Sequence, residues 1–419
     1  MESTEYKFRF RDALLGAQFL FVAFGALVLM PILCGLDISV ALFTAGLGTL
    51  IFQFVCREKV VPIFLASSFA FIAPIAYAVQ TWGLPTAMGG VFFAGLVYSG
   101  FGFFVKFKGK SFIDKYLPPI VVGPVIMTIG LVLSPSAVSM ATASGDMLAT
   151  YQALNPNFTQ NSAMIIAGFS LLVTLLCIMF AKGMLKLIPI LCGVAAGYIM
   201  SYFYGIIDFT PVKEASWFAI PNFTAPKFEL DAILYMIPVV IAPIIEHIGN
   251  VIAISNVTNY DYTKKPGLHK TLLGDGIATS VAAALAGPPC TTYAEVTGAV
   301  RLTRAFNPAI MTWAAIVAML LAFVGKLGAL IATIPACVLG GIMILLFGII
   351  ASVGMESLIK SKVDMDEPRN MVIIALILVP ALGGMVLDFG FATFSQIGLG
   401  AIVGVILNIV LPYSKKEEI

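Results

Sequence analysis

Charge is scarce in this chain. Asp, Glu, Lys and Arg make up only 11% of its 419 residues, and there are two histidines and three tryptophans. Hydrophobic residues supply 60% and mean hydropathy is +1.00, which excludes a soluble globular domain of this length and describes a polytopic membrane protein. A net charge of +2 leaves no basic surface for nucleic acid. Cys34, Cys56, Cys177, Cys192, Cys290 and Cys337 lie in apolar segments without C-x-x-C or Cys/His spacing. That excludes a zinc or disulfide framework and leaves them as small apolar residues. No nucleophile elbow, phosphate loop or zinc signature occurs, so neither enzymatic chemistry nor a bound cofactor or metal is expected. The opening MESTEYKFRFRD is polar and meets an apolar span without an A-x-A pattern, as a cytosolic tail would.

Long apolar runs fill the rest, at about 13–33, 38–56, 60–80, 86–107, 117–137, 161–181, 185–205, 230–256, 270–286, 288–303, 308–327, 333–353, 370–388 and 393–412. Most are near the length a bilayer requires, which predicts about fourteen spans with both termini on one side. Placing that side in the cytoplasm leaves only Lys213, Lys227 and Lys326 outside, of 24 Lys and Arg. The asymmetry obeys the positive-inside rule and supports the span count and the orientation together.

Two halves are traceable. P-x-x-V-x-G opens the fifth span at Pro118 and the twelfth at Pro335. Seven spans per half would set the halves in opposite orientations, as in inverted-repeat transporters. The third span of each half is interrupted: Pro62, Leu65-Ala66-Ser67-Ser68-Phe69-Ala70-Phe71 and Pro74 in one, Pro288, Pro289, Cys290-Thr291-Thr292-Tyr293-Ala294-Glu295 and Gly298 in the other. Hydroxyl and aromatic residues suit short extended segments, tolerable at this depth only where they are buried in protein or line a cavity. A kinked helix pair is the alternative.

Two glutamates stand out against this background. Glu246 is the only acid in the run 235–255, and Glu295 lies in the tenth-span break. An ionisable group at bilayer depth marks a pathway or substrate site; the plainer alternative is a protonated carboxyl bracing helix packing. With Ser68, Thr291, Thr292, Phe69, Tyr293 and the free amides at the breaks, these residues suit a small, flat, uncharged ligand bearing N–H beside C=O groups. No Lys or Arg lies within the inner part of a span, so acidic substrates are disfavoured. Asn250, at i+4 from Glu246, shares its face. His247 points elsewhere and reads as a packing or supporting residue. Asp275, near Lys270, reads as structural or gating.

These residues resemble the nucleobase–ascorbate transporter family, and within it the bacterial uracil permeases. The likeness spans essentially the whole chain, from Phe24-Gly25-Ala26 onward. It is most specific at Ser67-Ser68-Phe69-Ala70-Phe71, Glu246-His247-x-Gly249, Pro266-Gly267-Leu268-His269, Thr291-Thr292-Tyr293-x-Glu295 and Gly298-x4-Thr303-Arg304. Two positions depart: Val296 stands where the family has Asn, and Asn250 where the uracil permeases have His. The resemblance implies an all-α fold of fourteen spans in two inverted seven-span repeats, with short antiparallel strands in spans three and ten. Core-domain segments 1–116 and 229–330 would move against gate-domain segments 117–228 and 331–419. It further implies proton-coupled uptake of a nucleobase, uracil first, by an elevator-type mechanism in the cytoplasmic membrane, by a homodimer. Glu246, Glu295, Ser68, Tyr293, Ala26 and the amides of Phe69 and Ala294 would bind the base, and Glu246, Glu295 and Asn250 would serve proton coupling, with the proton as the coupling ion. A xanthine-type purine symporter and an anion transporter on the same fold are the alternatives.

Overall fold

The structure is a computed structural model that describes residues 4–109, 115–388 and 393–412. The first half runs α1 (Ala13–Val22), α2 (Phe24–Cys34), α3 (Ile38–Val55), β1 (Leu65–Ser67), α4 (Ile72–Trp82), α5 (Leu84–Lys108), α6 (Pro119–Ala141), α7 (Asp146–Leu154), α8 (Gln160–Phe180) and α9 (Pro189–Phe203). A short α10 (Thr210–Glu214) leads into the second half: α11 (Leu230–Met236), α12 (Ile241–Thr258), α13 (Leu268–Ala284), β2 (Cys290–Thr292) and α14 (Ala294–Thr303). Then follow α15 (Ala309–Ala322), α16 (Gly325–Ala332), α17 (Ala336–Lys360), α18 (Pro368–Leu382), β3 (Val386–Asp388), β4 (Thr393–Ser395) and α19 (Gln396–Val410).

Local chemistry sets many of these boundaries. Asp37 caps α3 by accepting from the amides of Ser39 (2.7 Å) and Val40 (3.2 Å), satisfying donors that have no intrahelical partner. Proline occupies the first turn of α5, α9 and α18, where its missing N–H costs nothing. Gly35 ends α2 in the left-handed region at φ 69°, a conformation that glycine adopts without Cβ strain.

Among the described residues, six helices are long and apolar enough to cross a membrane, counting α6 with α7 and α11 with α12 as continuous. The pair around Ala23 is bent by 41°, and five further apolar helices have 10–17 residues. Some sequence runs are therefore shorter as helices than as apolar stretches, because extended backbone occupies part of them, as at 64–67 and 288–292. The β3–β4 pair, Val386 opposite Ser395, is a second ribbon that the sequence pattern does not announce.

The helices pack in two groups. In one, α5 lies along α13, α3 along α13 and α15, and α1 along α15; in the other, α6 lies along α17, α8 along α9 and α17, and α18 along α19. Glycines let backbones touch. A Cβ at Gly276 would strike Ser99 on α5, one at Gly95 would strike Ser280 on α13, and one at Gly130 would strike the Phe347 carbonyl. Such small-residue contacts are how helices associate in lipid, where apolar burial gives little drive. Arg369 is buried at the start of α18 and donates to the carbonyls of Asn408 (2.8 Å) and Leu411 (3.2 Å) at the end of α19, so its charge meets the negative end of a helix.

Candidate ligand site at the crossing of two broken spans

Strands β1 and β2 pair antiparallel in the middle of the first group, with Leu65 opposite Thr292, Ala66 opposite Thr291 and Ser67 opposite Cys290. A two-stranded ribbon has two outer edges, and unpaired N–H and C=O groups there cost several kcal/mol each away from water. Side chains of the surrounding helices meet them. Thr49 of α3 accepts from the Leu65 amide (2.9 Å). Thr279 of α13 donates to the Cys290 carbonyl (2.9 Å) and accepts from its amide (3.2 Å). Asn250 of α12 donates to the Thr292 carbonyl (2.6 Å), and Asp275 accepts from the Thr292 amide (3.2 Å). The Ser68 amide donates to the carbonyl of Pro289 (2.9 Å).

Each strand runs directly into a helix. A 3-10 turn over Phe69–Phe71 leads into α4, and α14 starts at Ala294. Neither start has a side-chain cap, whether from Ser68 or from Tyr293. Uncapped helix N-termini present donors and a partial positive charge to whatever lies beside them. Glu295 stands in the first turn of α14, and α12 carries Glu246 alongside α14 and β2.

Aromatic rings close the space. Phe69 and Tyr293 meet edge to face with centroids 6.2 Å apart, and Phe347 meets Phe69 at 6.0 Å and 88°. Phe347 belongs to α17, in the other helix group, so the crossing is walled from both sides. Ala26 is fully buried in α2, and a Cβ at neighbouring Gly25 would lie 3.7 Å from the Tyr293 hydroxyl. Among the described residues, buried side-chain oxygen or nitrogen atoms without a protein partner occur on Ser67, Ser68, Glu246, His247, Asp275, Thr291, Tyr293 and Thr297, all at or beside this crossing, and otherwise only on Ser170 and Tyr262. Because buried polar groups are normally paired, this concentration is what a polar ligand site looks like.

His247 and Asp275 are both fully buried, with Nδ1 of the histidine 2.7 Å from Oδ2 of the aspartate. The same oxygen accepts from the Tyr98 hydroxyl (3.3 Å) and from Thr292 N–H. Asp275 thus holds α5, α12 and β2 together, while Lys270 pairs with Glu58 at 2.5 Å. Sequence proximity to Lys270 gave no sign of this. Phe347 carried no signal either, since a phenylalanine in an apolar helix reads equally well as lipid-facing.

A cavity of about 210 Å³ opens beside Glu295 between the helix groups, lined by Gly298 and Leu302 of α14, Phe21 of α1, Ile342 of α17 and, at residue 186, a lysine.

Fold and composition together describe a helical integral-membrane protein in which two strand-interrupted segments cross at a candidate ligand site. The permease family profile matches residues 11–389. The chain is 54% identical over 413 residues to a probable uracil permease of Haemophilus influenzae, covering 99% of this chain and 97% of that protein. It is 41% identical over 409 residues to the uracil permease of Bacillus subtilis, covering 96% and 92%. Among solved structures, the transmembrane domain of a cyanobacterium bicarbonate transporter, BicA, superposes with a TM-score of 0.65 at 18% identity, over 97% of this chain and 100% of that one. The murine Slc26a9 anion transporter in its inward-facing state gives 0.68 at 14%, over 97% and 69%. At such identities the likeness shows the fold alone. The chain belongs to the nucleobase–ascorbate transporter family of permeases. It is a multi-pass membrane transporter and not an enzyme.

Proposed function

We propose that the chain carries a nucleobase, uracil first, into the cell in symport with protons. The observation that carries this reading is the set of unpartnered buried polar atoms at the β1–β2 crossing. Carboxyls on Glu246 and Glu295 accept from ring N–H groups, amides at Phe69 and Ala294 donate to ring carbonyls, and Phe69 and Tyr293 line the wall beside the ring. Ser68 and Ala26 complete the wall. The names of the relatives agree with uracil.

Proton coupling follows from the paired acids. Two carboxylates on neighbouring buried helices repel, and neutralising one removes both that repulsion and a buried charge. The substrate-loaded, protonated core then moves against the gate, a population shift between two packings biased by proton and base. In this reading Asn250, tied to Thr292, acts by holding β2 beside Glu246. The scheme takes fourteen spans in two inverted repeats, core segments 1–116 and 229–330, gate segments 117–228 and 331–419, termini in the cytoplasm, and a second copy as partner.

Glu295→Gln is expected to flatten the rise of uracil uptake with external acidity and to slow it at least tenfold; wild-type rate and pH profile would remove Glu295 from the coupling. An anion carrier on the same fold is disfavoured because the carboxyls would repel its cargo. The direct test is thermal stabilisation of the purified protein by free bases, since a ligand that binds only the folded state raises its stability by mass action. Uracil should shift the melting temperature and xanthine should not. The reverse result would make the protein a purine carrier, and no shift with any base would sink the reading.

A further inference from the structure

We propose that Thr49 and Thr279 are paired positioning residues that clamp the two strand–helix breaks from behind and so set where the ligand-binding amides stand. The functional half of this proposal rests on the reading above; the structural half does not.

A ribbon of three residue pairs is too short to hold itself together, and its strands come from segments more than two hundred residues apart in sequence. Something outside the ribbon has to fix it. Helices α3 and α13 pack against each other directly behind it. A Cβ at Gly48 would lie 3.0 Å from the Cys290 sulfur and 3.3 Å from the Ala278 methyl, so the two helices and β2 meet at one point. Each helix carries a threonine immediately after that contact: Gly48-Thr49 on one, Ala278-Thr279 on the other. The two hydroxyls engage the first residue of each strand, Leu65 for Thr49 and Cys290 for Thr279. Both threonines are essentially inaccessible, at 0% and 1% exposure, so water has no access to replace them. The equivalent placement in the two halves is a second trace of the internal repeat, one that sequence spacing alone does not reveal.

The arrangement is not quite symmetric. Thr279 meets both the amide and the carbonyl of Cys290, whereas Thr49 meets only the amide of Leu65. Valine keeps the shape of threonine and loses the hydroxyl, leaving those backbone groups unpaired. From Leu65 to the Phe69 amide is one short extended segment, and from Cys290 to the Ala294 amide another, so a loosened strand start displaces the ligand donors directly.

Hydrogen exchange on the wild-type protein provides the first test. Amides in peptides covering 62–68 and 287–293 should exchange as slowly as those of α3 and α13; exchange as fast as in surface loops would overturn the clamp without any variant. Thr49→Val should accelerate exchange in the first peptide and Thr279→Val in the second. Each should raise the KM for uracil roughly tenfold, the second more than the first, with a smaller effect on kcat. Thr→Ser at either site should restore both readouts to within about twofold, since the hydroxyl returns. Unchanged exchange and KM in both valine variants, or serine variants that behave like valine, would refute the proposal. If the wild type binds no uracil while the valine variants still show local acceleration, the substrate reading falls and the clamp stands.

Discussion

Replacing Glu246 with Gln is expected to weaken uracil binding at least thirtyfold while leaving the folded protein as abundant as wild type. The two side chains have nearly the same shape, so helix packing around α12 is kept. What changes is the hydrogen-bond inventory: a carboxylate only accepts, whereas an amide offers two N–H groups and one acceptor. Opposite ring N–H donors, one of the two contacts becomes repulsive. Truncating one partner of a buried charged hydrogen bond costs about 2–5 kcal/mol, which is roughly thirtyfold to several thousandfold in affinity. The fold should not suffer, because Glu246 Oε2 has no protein partner to lose. Calorimetric titration with uracil checks affinity, and size-exclusion yield checks folding. Wild-type affinity in Glu246→Gln would take this carboxyl out of the site; loss of folded protein would make it a structural brace instead.

Asp275→Ala should behave in the opposite way, losing stability first. One oxygen of Asp275 serves His247, the Tyr98 hydroxyl and the Thr292 amide, and none of these has water at hand. Removing one partner from a buried polar cluster costs about 3–5 kcal/mol, against about 5–15 kcal/mol for a typical domain. A large fall in melting temperature and in recovered protein is expected, with Asp275→Asn intermediate because its amide oxygen can keep one of the three donors. An Asp275→Ala protein that melts like wild type would show that the cluster contributes nothing to holding α5, α12 and β2 together.

The two outcomes separate a group that serves the ligand from one that serves the fold, and sequence treats them differently. Glu246 and Glu295 stood out as candidates because an acid without neighbouring charge in an apolar run is conspicuous. The breaks were legible because Pro62, Pro74, Pro288 and Pro289 bracket hydroxyl-rich segments. Asp275 was legible as a structural or gating residue but its partners were not, because its neighbour Lys270 is close along the chain but bonded to Glu58 in space. Thr49 and Thr279 were not, because a lone threonine in an apolar helix is as consistent with its own i−4 carbonyl, the bond Thr44 makes to Val40, as with a distant strand.

By itself, the sequence determined that the chain lives in a bilayer, that two apolar runs are interrupted, and that two acids stand in or between apolar runs. Those follow from composition and from the residues that break helices, which act locally. Which faces meet was decided by the tertiary structure. Apolar side chains cover most of these helices all round, so periodicity names no inner face; glycine contacts such as Gly95 and Gly276 choose it by letting backbones approach. Only that packing brings Phe347 from one helix group onto Phe69 of the other, and joins strands from opposite halves into a ribbon whose edges are satisfied by four side chains from three helices.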